Sequence, residues 1–174
     1  MPSIGIYSYE LYKFYNVDTI IRIGSCGAYN ENLNLLDTIL VDNAYTEGNY
    51  AYELNEEDCQ IMNSSSDINK AIEDTQKKVN IAYVKGNTLC TDCFDYYVKD
   101  VNSLIARFPK DLNIIGAEME AFALFYNAKL LGKKASCLLS VVDSHYKHQE
   151  ISADERQTSL NSMIKLALES AVNL

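Results

Sequence analysis

The chain has 174 residues and carries 24 acidic against 15 basic side chains, a formal net charge of −9. This length suits one domain, residues 1–174, and the 48% apolar content excludes a disordered tail or a fibrous repeat. The acidic balance argues against nucleic acid as a partner, because phosphate backbones attract basic surfaces. It does not exclude small anions, which need only one or two local positive groups.

The sequence also argues against a membrane or secreted protein. No apolar stretch reaches the length that spans a bilayer, and residues 1–3 lack the basic-then-apolar pattern of a secretion signal. An odd number of cysteines, 5 at irregular spacing, does not form a disulfide framework. We therefore expect a reduced, cytoplasmic protein with no membrane partner.

Apolar periodicity and chain breakers divide the sequence into alternating helices and strands. The polar stretch over residues 43–66 is expected to be mostly loop, with a helix at its end. In chain order we predict a helix over residues 4–15, strands over 19–23 and 38–41, a helix over 68–78, a strand over 79–84, a helix over 101–108, a strand over 113–116, a helix over 121–131, a strand over 135–142, and one final helix that starts at a capping box of Ser152 and Glu155. This alternation predicts an α/β domain with a largely parallel sheet.

The residues that could carry chemistry cluster at the ends of three predicted strands. They lie in residues 22–27, in residues 118–120 and at Asp143. Ligands of open α/β sheets bind outside the carboxyl ends of the strands. We therefore expect these segments to form the site.

The segment from Arg22 to Gly27 predicts a strand that delivers a tight glycine loop. Glycines let backbone amides face an anion, Ser25 adds a hydroxyl donor, and Arg22 supplies charge and a forked set of donors. The alternative is a strand-to-loop turn with an incidental arginine, since a glycine loop alone is a weak signal.

Two carboxylates, Glu118 and Glu120, flank Met119 where a strand gives way to a helix. Residues two apart point in different directions, so we do not expect them to share a proton. A carboxylate at a helix start is held ionised by the helix dipole, and it could accept from a sugar diol and stabilise a developing cation. The alternative is that both residues only favour the start of the helix.

Asp143 directly follows an apolar strand. Partial burial there would raise its pKa and suit it to general acid catalysis. Arg156, in the first turn of the final helix, could fold back and stabilise the carboxylate that forms as the proton leaves. The alternative is an ordinary structural ion pair.

Other motifs are weaker. Cys90 and Cys93 form a CxxC, but no second CxxC completes a zinc site. His145 and His148 follow Asp143 without a matching nucleophile motif, and we interpret them as surface residues.

Taken together, these segments resemble the hexameric bacterial-type purine nucleoside phosphorylases of the nucleoside phosphorylase superfamily. The matching stretches keep the family's order and comprise residues 20–27, 116–121, 141–145, 153–158 and 163–170. The resemblance implies a three-layer domain with a central mixed, largely parallel sheet flanked by helices. It also implies phosphorolysis of purine (deoxy)ribonucleosides to free base and (deoxy)ribose-1-phosphate, with inorganic phosphate as co-substrate, no metal or organic cofactor, and a family-like hexamer.

The resemblance implies a role for each matched position. The phosphate contacts are Arg22 and Ser25, the ribose contacts are Glu118, Met119 and Glu120, and the base pocket is lined by Cys26, Gly27, Phe94, Ala117 and Val142, with Phe94 stacking on the base. Catalysis falls to Asp143, which would protonate the purine at N7 as the glycosidic bond breaks, assisted by Arg156.

Two related activities are alternatives. Uridine phosphorylases share the phosphate arginine and the Glu-Met-Glu, but they recognise uracil with a Gln/Arg motif that this sequence lacks. The methylthioadenosine/adenosylhomocysteine nucleosidases keep the aspartate but lack the phosphate arginine and the Glu-Arg-Gln-Thr helix start. The presence of Arg22 and Arg156 together favours the purine phosphorylase.

The family pattern begins before Met1, with strands and a loop that carry a phosphate-binding glycine and arginine. The family also supplies an arginine to a neighbouring subunit's phosphate site and a histidine that closes a neighbour's nucleoside pocket. We expect Met1 to be an internal methionine of a truncated or separately encoded phosphorylase, with a weakened oligomer. Such a chain alone should bind phosphate poorly and turn over slowly or not at all. The competing hypothesis is a non-catalytic nucleoside-binding or assembly subunit.

Overall fold

The structure is a computed structural model that describes residues 1–174. Helices and strands alternate along most of the chain, as the sequence predicts. Their bounds are α1 Pro2–Phe14, β1 Thr19–Ala28, β2 Thr38–Tyr45, α2 Tyr50–Asn55, β3 Ile61–Asn63, α3 Ser66–Val79, β4 Val84–Cys90, α4 Val101–Ile105, β5 Ile114–Glu118, α5 Ala121–Leu130, β6 Lys134–Ser144, β7 Gln149–Glu150, α6 Ala153–Thr158 and α7 Asn161–Ala171, with a short 3-10 turn at Asp95–Tyr97.

The strands form one mixed sheet in the order β3-β2-β4-β5-β1-β6-β7. Strand β2 also pairs with β6, so that β2, β4, β5, β1 and β6 close into a barrel-like ring. The three longest registers, β1 with β6, β2 with β4 and β4 with β5, are parallel, and the shorter pairings are antiparallel. The predicted α/β class with a mixed, largely parallel sheet is confirmed.

Helices cover the sheet on two sides, and the alternation of strand residues divides the core between them. Ile39 and Leu139 pack in the cluster that holds α1 and α5, whereas Leu40 and Leu138 pack against α3 and α7. Each of these side chains is fully buried, which contributes roughly 1.5–3 kcal/mol per residue. The central part of β6 is therefore buried on both faces, as its continuous apolar run predicts.

The prediction of a glycine loop over residues 24–27 is wrong, because these residues form a strand. These residues continue β1, which stays in parallel register with β6 as far as Ala28. A register shift between Cys26 and Gly27 is the only break. The neighbouring strand supplies the partners that a loop would have lacked, and this pairing overrides the local preference of glycine for turns.

The predicted strand over residues 79–84 is also wrong. Helix α3 continues to Val79, Asn80 ends it in the left-handed conformation with φ 53°, and β4 begins only at Val84. The expected loop over residues 43–66 instead holds the end of β2, then α2 and β3, whereas the helix expected at its end is present as α3. Short apolar runs fit a helix end or a strand equally well, so periodicity alone cannot separate them.

The predicted final helix begins as expected and then breaks. The Ser152 hydroxyl accepts from the Glu155 N–H at 3.2 Å, and the Glu155 carboxylate accepts from the Ser152 N–H at 2.8 Å, which completes the capping box. Helix α6 stops at Thr158, and α7 starts separately at Asn161. Helix α7 contributes Met163, Leu166 and Ala167 to the buried core.

Two further features concern the whole chain. None of the helices is both long and apolar enough to cross a membrane. All the cysteines are free, and those at positions 26, 90 and 137 are buried.

Candidate active site

A cavity of about 310 Å³ opens beside β1, β5 and β6. Every residue to which the sequence gives a role lines it, namely Arg22, Ser25, Cys26, Gly27, Phe94, Ala117, Glu118, Met119, Glu120, Val142, Asp143 and Arg156. Gly24, Thr91 and Asp95 complete the lining. The structure brings the predicted residues together, while their individual roles stay predictions.

The strand pairings explain this convergence. Because β5 runs antiparallel to β1, with Ala117 opposite Gly27, the residues after Ala117 run back along β1 toward Arg22. Because β6 runs parallel to β1, Asp143 lies opposite Gly27 at the other end of the segment. Arg22 and Gly27 are five residues apart on one strand, about 16 Å along the chain. The carboxylates at the end of β5 and the carboxylate on β6 therefore lie at different ends of one cavity.

Arg22 is paired with carboxylates. Its Nη2 donates to Glu120 Oε2, and its Nη1 lies 4.0 Å from Glu118 Oε2. The Arg22 side chain is 13% exposed and that of Glu120 is 37% exposed, so the pair reaches solvent only on the Glu120 side. A Cβ at position 24 would overlap the Arg22 guanidinium, so glycine there leaves the room that the arginine occupies.

Glu118 caps the turn between β5 and α5. Its Oε2 accepts from the N–H groups of Glu120 and Ala121, both at 2.8 Å, while its Oε1 is buried without a partner. Burial raises the pKa of the Glu118 carboxyl, and the nearby Arg22 opposes this rise only in part. Glu118 therefore acts on the backbone that presents Glu120, and its side chain is closed to solvent.

Asp143 sits at the other end of the cavity in a partly buried position. A Cβ on Gly27 would lie 2.6 Å from Asp143 Oδ1, so glycine is required for this close approach. Burial raises the pKa of Asp143, and the negative charge of Asp95 raises it further, while Arg156 opposes both. A carboxyl with a raised pKa keeps its proton nearer to neutral pH, as a general acid requires.

Arg156 is exposed on α6 and lines the cavity without pairing directly with Asp143. No ion pair within 4.0 Å joins these two side chains. Its charge nevertheless lowers the pKa of Asp143 relative to burial alone. The structural ion pair considered as the alternative for this couple is absent.

One part of the lining is apolar and suits a flat ring. Cys26, Ala117 and Val142 are buried and contribute small side chains, and burial raises the pKa of the Cys26 thiol, which keeps it neutral. Phe94 is 44% exposed and stacks on Tyr96 with ring centroids 5.1 Å apart. Phe94 thus keeps an accessible aromatic surface beside the cavity.

The sequence missed Thr91 and Asp95. The Thr91 N–H donates to the backbone oxygen of Glu118 at 2.9 Å, which ties the segment after β4 to the end of β5. The Asp95 carboxylate accepts from the Tyr29 hydroxyl. Both belong to the irregular segment after β4, where no periodicity points to a site; adjacency to Phe94 was the one available signal.

The weaker motifs stay outside the lining. Cys90 is buried and Cys93 is exposed, and both are free. No group of His, Cys, Asp or Glu side chains is arranged to hold a metal ion. His145 packs edge-on to Tyr29, with ring centroids 6.4 Å apart, rather than facing the cavity.

Comparisons with known proteins agree on one family. The model of the phosphorylase superfamily matches residues 1–172. The chain is 41% identical to a DeoD-type purine nucleoside phosphorylase of Mycoplasma pneumoniae over 100% of this chain and 72% of that protein. It is 43% identical to the Mycoplasma genitalium protein of the same name over 97% of this chain and 70% of that protein. A futalosine hydrolase mutant of Helicobacter pylori shares the fold, with a TM-score of 0.79 at 15% identity over 98% of this chain and 75% of that one. The chain therefore belongs to the phosphorylase superfamily and, within it, to the DeoD-type purine nucleoside phosphorylases.

Proposed function

We propose that this protein catalyses the phosphorolysis of purine nucleosides, giving the free base and (deoxy)ribose-1-phosphate. The observation that carries the proposal is the single cavity in which an arginine, a Glu-Met-Glu turn and an aspartate of raised pKa face one another. The relatives named as purine nucleoside phosphorylases support the same activity.

Phosphate binds at the Arg22 end. Arg22 supplies a forked set of N–H donors and Ser25 a hydroxyl, which together suit an oxyanion. Because Arg22 already contacts Glu120, phosphate must compete with this carboxylate for the guanidinium. This competition favours an ordered site in which phosphate and sugar bind together.

The ribose binds over Met119 and Glu120, next to Glu118. Once Arg22 turns to phosphate, the Glu120 carboxylate is free to accept from the 2′ and 3′ hydroxyls. As the glycosidic bond breaks, the sugar becomes oxocarbenium-like, and the negative charges of Glu120 and phosphate stabilise it. A phosphate oxygen then forms the new bond to C1′.

The purine lies between the small residues Cys26, Gly27, Ala117 and Val142, with Phe94 stacked on its face. Asp143 donates its proton to N7 as the electron pair of the C1′–N9 bond moves onto the base. Arg156 stabilises the carboxylate that remains, because its charge acts on Asp143 without a direct contact. The base therefore leaves as a neutral molecule.

Inorganic phosphate is the co-substrate, and the reaction needs no metal or organic cofactor. The free cysteines fit a reducing compartment, and we place the protein in the cytoplasm. We further propose a homo-oligomer of the family's hexameric kind. Sedimentation of the purified chain tests this assembly.

Chromatographic assay of the purified chain with inosine and adenosine, with and without phosphate, tests the function. We expect any release of hypoxanthine or adenine to depend on phosphate and to yield ribose-1-phosphate, and we expect no release from uridine. Base release that is independent of phosphate would indicate a nucleosidase instead. Purine nucleoside binding without turnover would favour the non-catalytic binding or assembly subunit.

A further inference from the structure

Asp95 is a carboxylate in the cavity that the proposed reaction does not use. It lies on the 3-10 turn Asp95–Tyr97, directly after Phe94, and lines the same cavity as Asp143. The two carboxylates are close enough for the charge of Asp95 to act on Asp143. Asp95 therefore lies beside the proposed proton donor, at the end of the cavity where the base would bind, and can contact the edge of the purine.

A hydrogen bond from Tyr29 fixes the position of the Asp95 carboxylate. The Tyr29 hydroxyl donates to its Oδ2, and burial together with this hydrogen bond raises the pKa of Tyr29. Tyr29 is itself buried and stacks on Phe108, with centroids 5.9 Å apart. The only hydrogen bond to the Asp95 side chain is the one that Oδ2 accepts, and Oδ1 has no donor. One oxygen is therefore fixed, and the other is free to accept from a ligand.

The edge of a purine next to N7 distinguishes the two common classes. A 6-aminopurine presents N7 as an acceptor and the 6-amino group as a donor, whereas a 6-oxopurine presents two acceptors there. A protonated Asp143 can donate a hydrogen bond to N7 in both purine classes. A carboxylate oxygen of Asp95 beside it can accept from a 6-amino group, but it would face the lone pairs of a 6-oxo group with its own.

We propose that Asp95, positioned by Tyr29, is a specificity-determining residue that favours 6-aminopurine nucleosides over 6-oxopurine nucleosides. This inference rests on the proposed function, because it assumes that Asp143 faces N7. It assigns the two carboxylates complementary states, with Asp143 as the hydrogen-bond donor and Asp95 as the acceptor.

Calorimetric titration of the purified full chain with adenosine, inosine and the unsubstituted purine riboside tests the proposal without requiring turnover. We expect adenosine to bind about 10-fold or more tightly than inosine, since a hydrogen bond to a charged acceptor is gained in one and opposed in the other. The unsubstituted riboside should fall between them. In Asp95→Asn the difference should collapse to within about threefold, because an amide can turn a donor or an acceptor to either base.

Asp92→Asn is the matched control, since Asp92 lies on the same segment but is exposed and outside the lining. It should keep the preference of the wild type.

Tyr29→Phe keeps the Asp95 carboxylate but removes its anchor, and it should reduce the preference. This variant decides the matter if Asp95→Asn does not fold. Equal binding of adenosine and inosine, or a preference that survives Asp95→Asn, overturns this inference alone. Failure of every purine nucleoside to bind overturns the proposed function instead.

Discussion

The Arg22 guanidinium donates to the Glu120 carboxylate, so the residue proposed to bind phosphate is paired with the residue proposed to bind ribose. Phosphate that draws Arg22 away would release Glu120 for the sugar. The two substrates should therefore assist each other's binding, and linkage requires this assistance to be reciprocal.

We expect saturating phosphate to tighten inosine or adenosine binding by roughly 5- to 150-fold, the usual range of such coupling. In Glu120→Gln this coupling should disappear, and phosphate binding in the absence of nucleoside should strengthen, because the amide does not hold Arg22 by charge. Calorimetric titration of each ligand, with and without the other, measures both effects. Coupling of the same size in wild type and Glu120→Gln would contradict the competition.

Replacement of Asp143 tests the general acid. Asp143→Asn should lower kcat for inosine or adenosine by about 10²–10⁴, the usual contribution of a positioned proton donor. A nucleoside methylated at N7 carries its positive charge already and needs no proton, so its turnover should be much less affected. Steady-state assays of both substrates separate the two cases, and an equal loss on both would show that Asp143 does not protonate N7.

The pH dependence of the reaction follows from the same carboxyl. Burial and the charge of Asp95 raise the pKa of Asp143, and only the protonated form can act as the acid. We expect kcat to fall as the pH rises through this raised pKa, and Asp95→Asn to move the fall to lower pH. A profile that Asp95→Asn leaves in place would argue that the alkaline limb belongs to another group.

Part of the site was accessible from the sequence because Asp143 and the Glu-Met-Glu lie at the ends of strands. The strand of β6 is a continuous apolar run that stops beside Asp143, and the Glu-Met-Glu stands where β5 gives way to α5. Strand boundaries and polar residues mark such positions without knowledge of the sheet order.

What the sequence did not reveal depends on contacts between distant residues. The glycine segment of β1 is a strand because β6 pairs with it, and the pairing of Arg22 with Glu120 spans 98 positions. Asp95 acquires its place through Tyr29, 66 residues away, and lies in a segment with no periodic pattern. Tertiary pairing of this kind overrides local propensity and leaves no short-range signal.

Gly27 allows Asp143 to approach β1, and its replacement should displace the acid. A Cβ there would stand 2.6 Å from Asp143 Oδ1, so Gly27→Ala must push the carboxylate aside. We expect a fall in kcat of at least about 10-fold, since small displacements of a catalytic group are costly. Added to Asp143→Asn, Gly27→Ala should cause little further loss, because the displaced group is already gone. Additive losses in the double variant would show that Gly27 acts elsewhere in the site.

Glu118 supports the turn that presents Glu120, and two substitutions separate its cap from its charge. Glu118→Ala removes the acceptor of the Glu120 and Ala121 N–H groups and should lower the free energy of unfolding by about 1–3 kcal/mol. Glu118→Gln retains an oxygen for these donors and should be destabilised much less. Urea denaturation followed by circular dichroism measures both changes.

The charge of Glu118 should appear in the pH dependence of stability. Because burial raises its pKa above the ordinary value of 4.5, the folded chain holds this proton more tightly than the unfolded chain does. Its contribution to stability is therefore greatest below the unfolded pKa, and it decreases as the pH rises through the folded pKa. Glu118→Gln should lack this decrease. Its free energy of unfolding, compared with that of the wild type at the same pH, should therefore rise from acidic to neutral pH. The exposed Glu31→Gln is the control and should follow the wild type. A constant difference between Glu118→Gln and wild type across this range would mean that Glu118 titrates alike in both states, contrary to its burial.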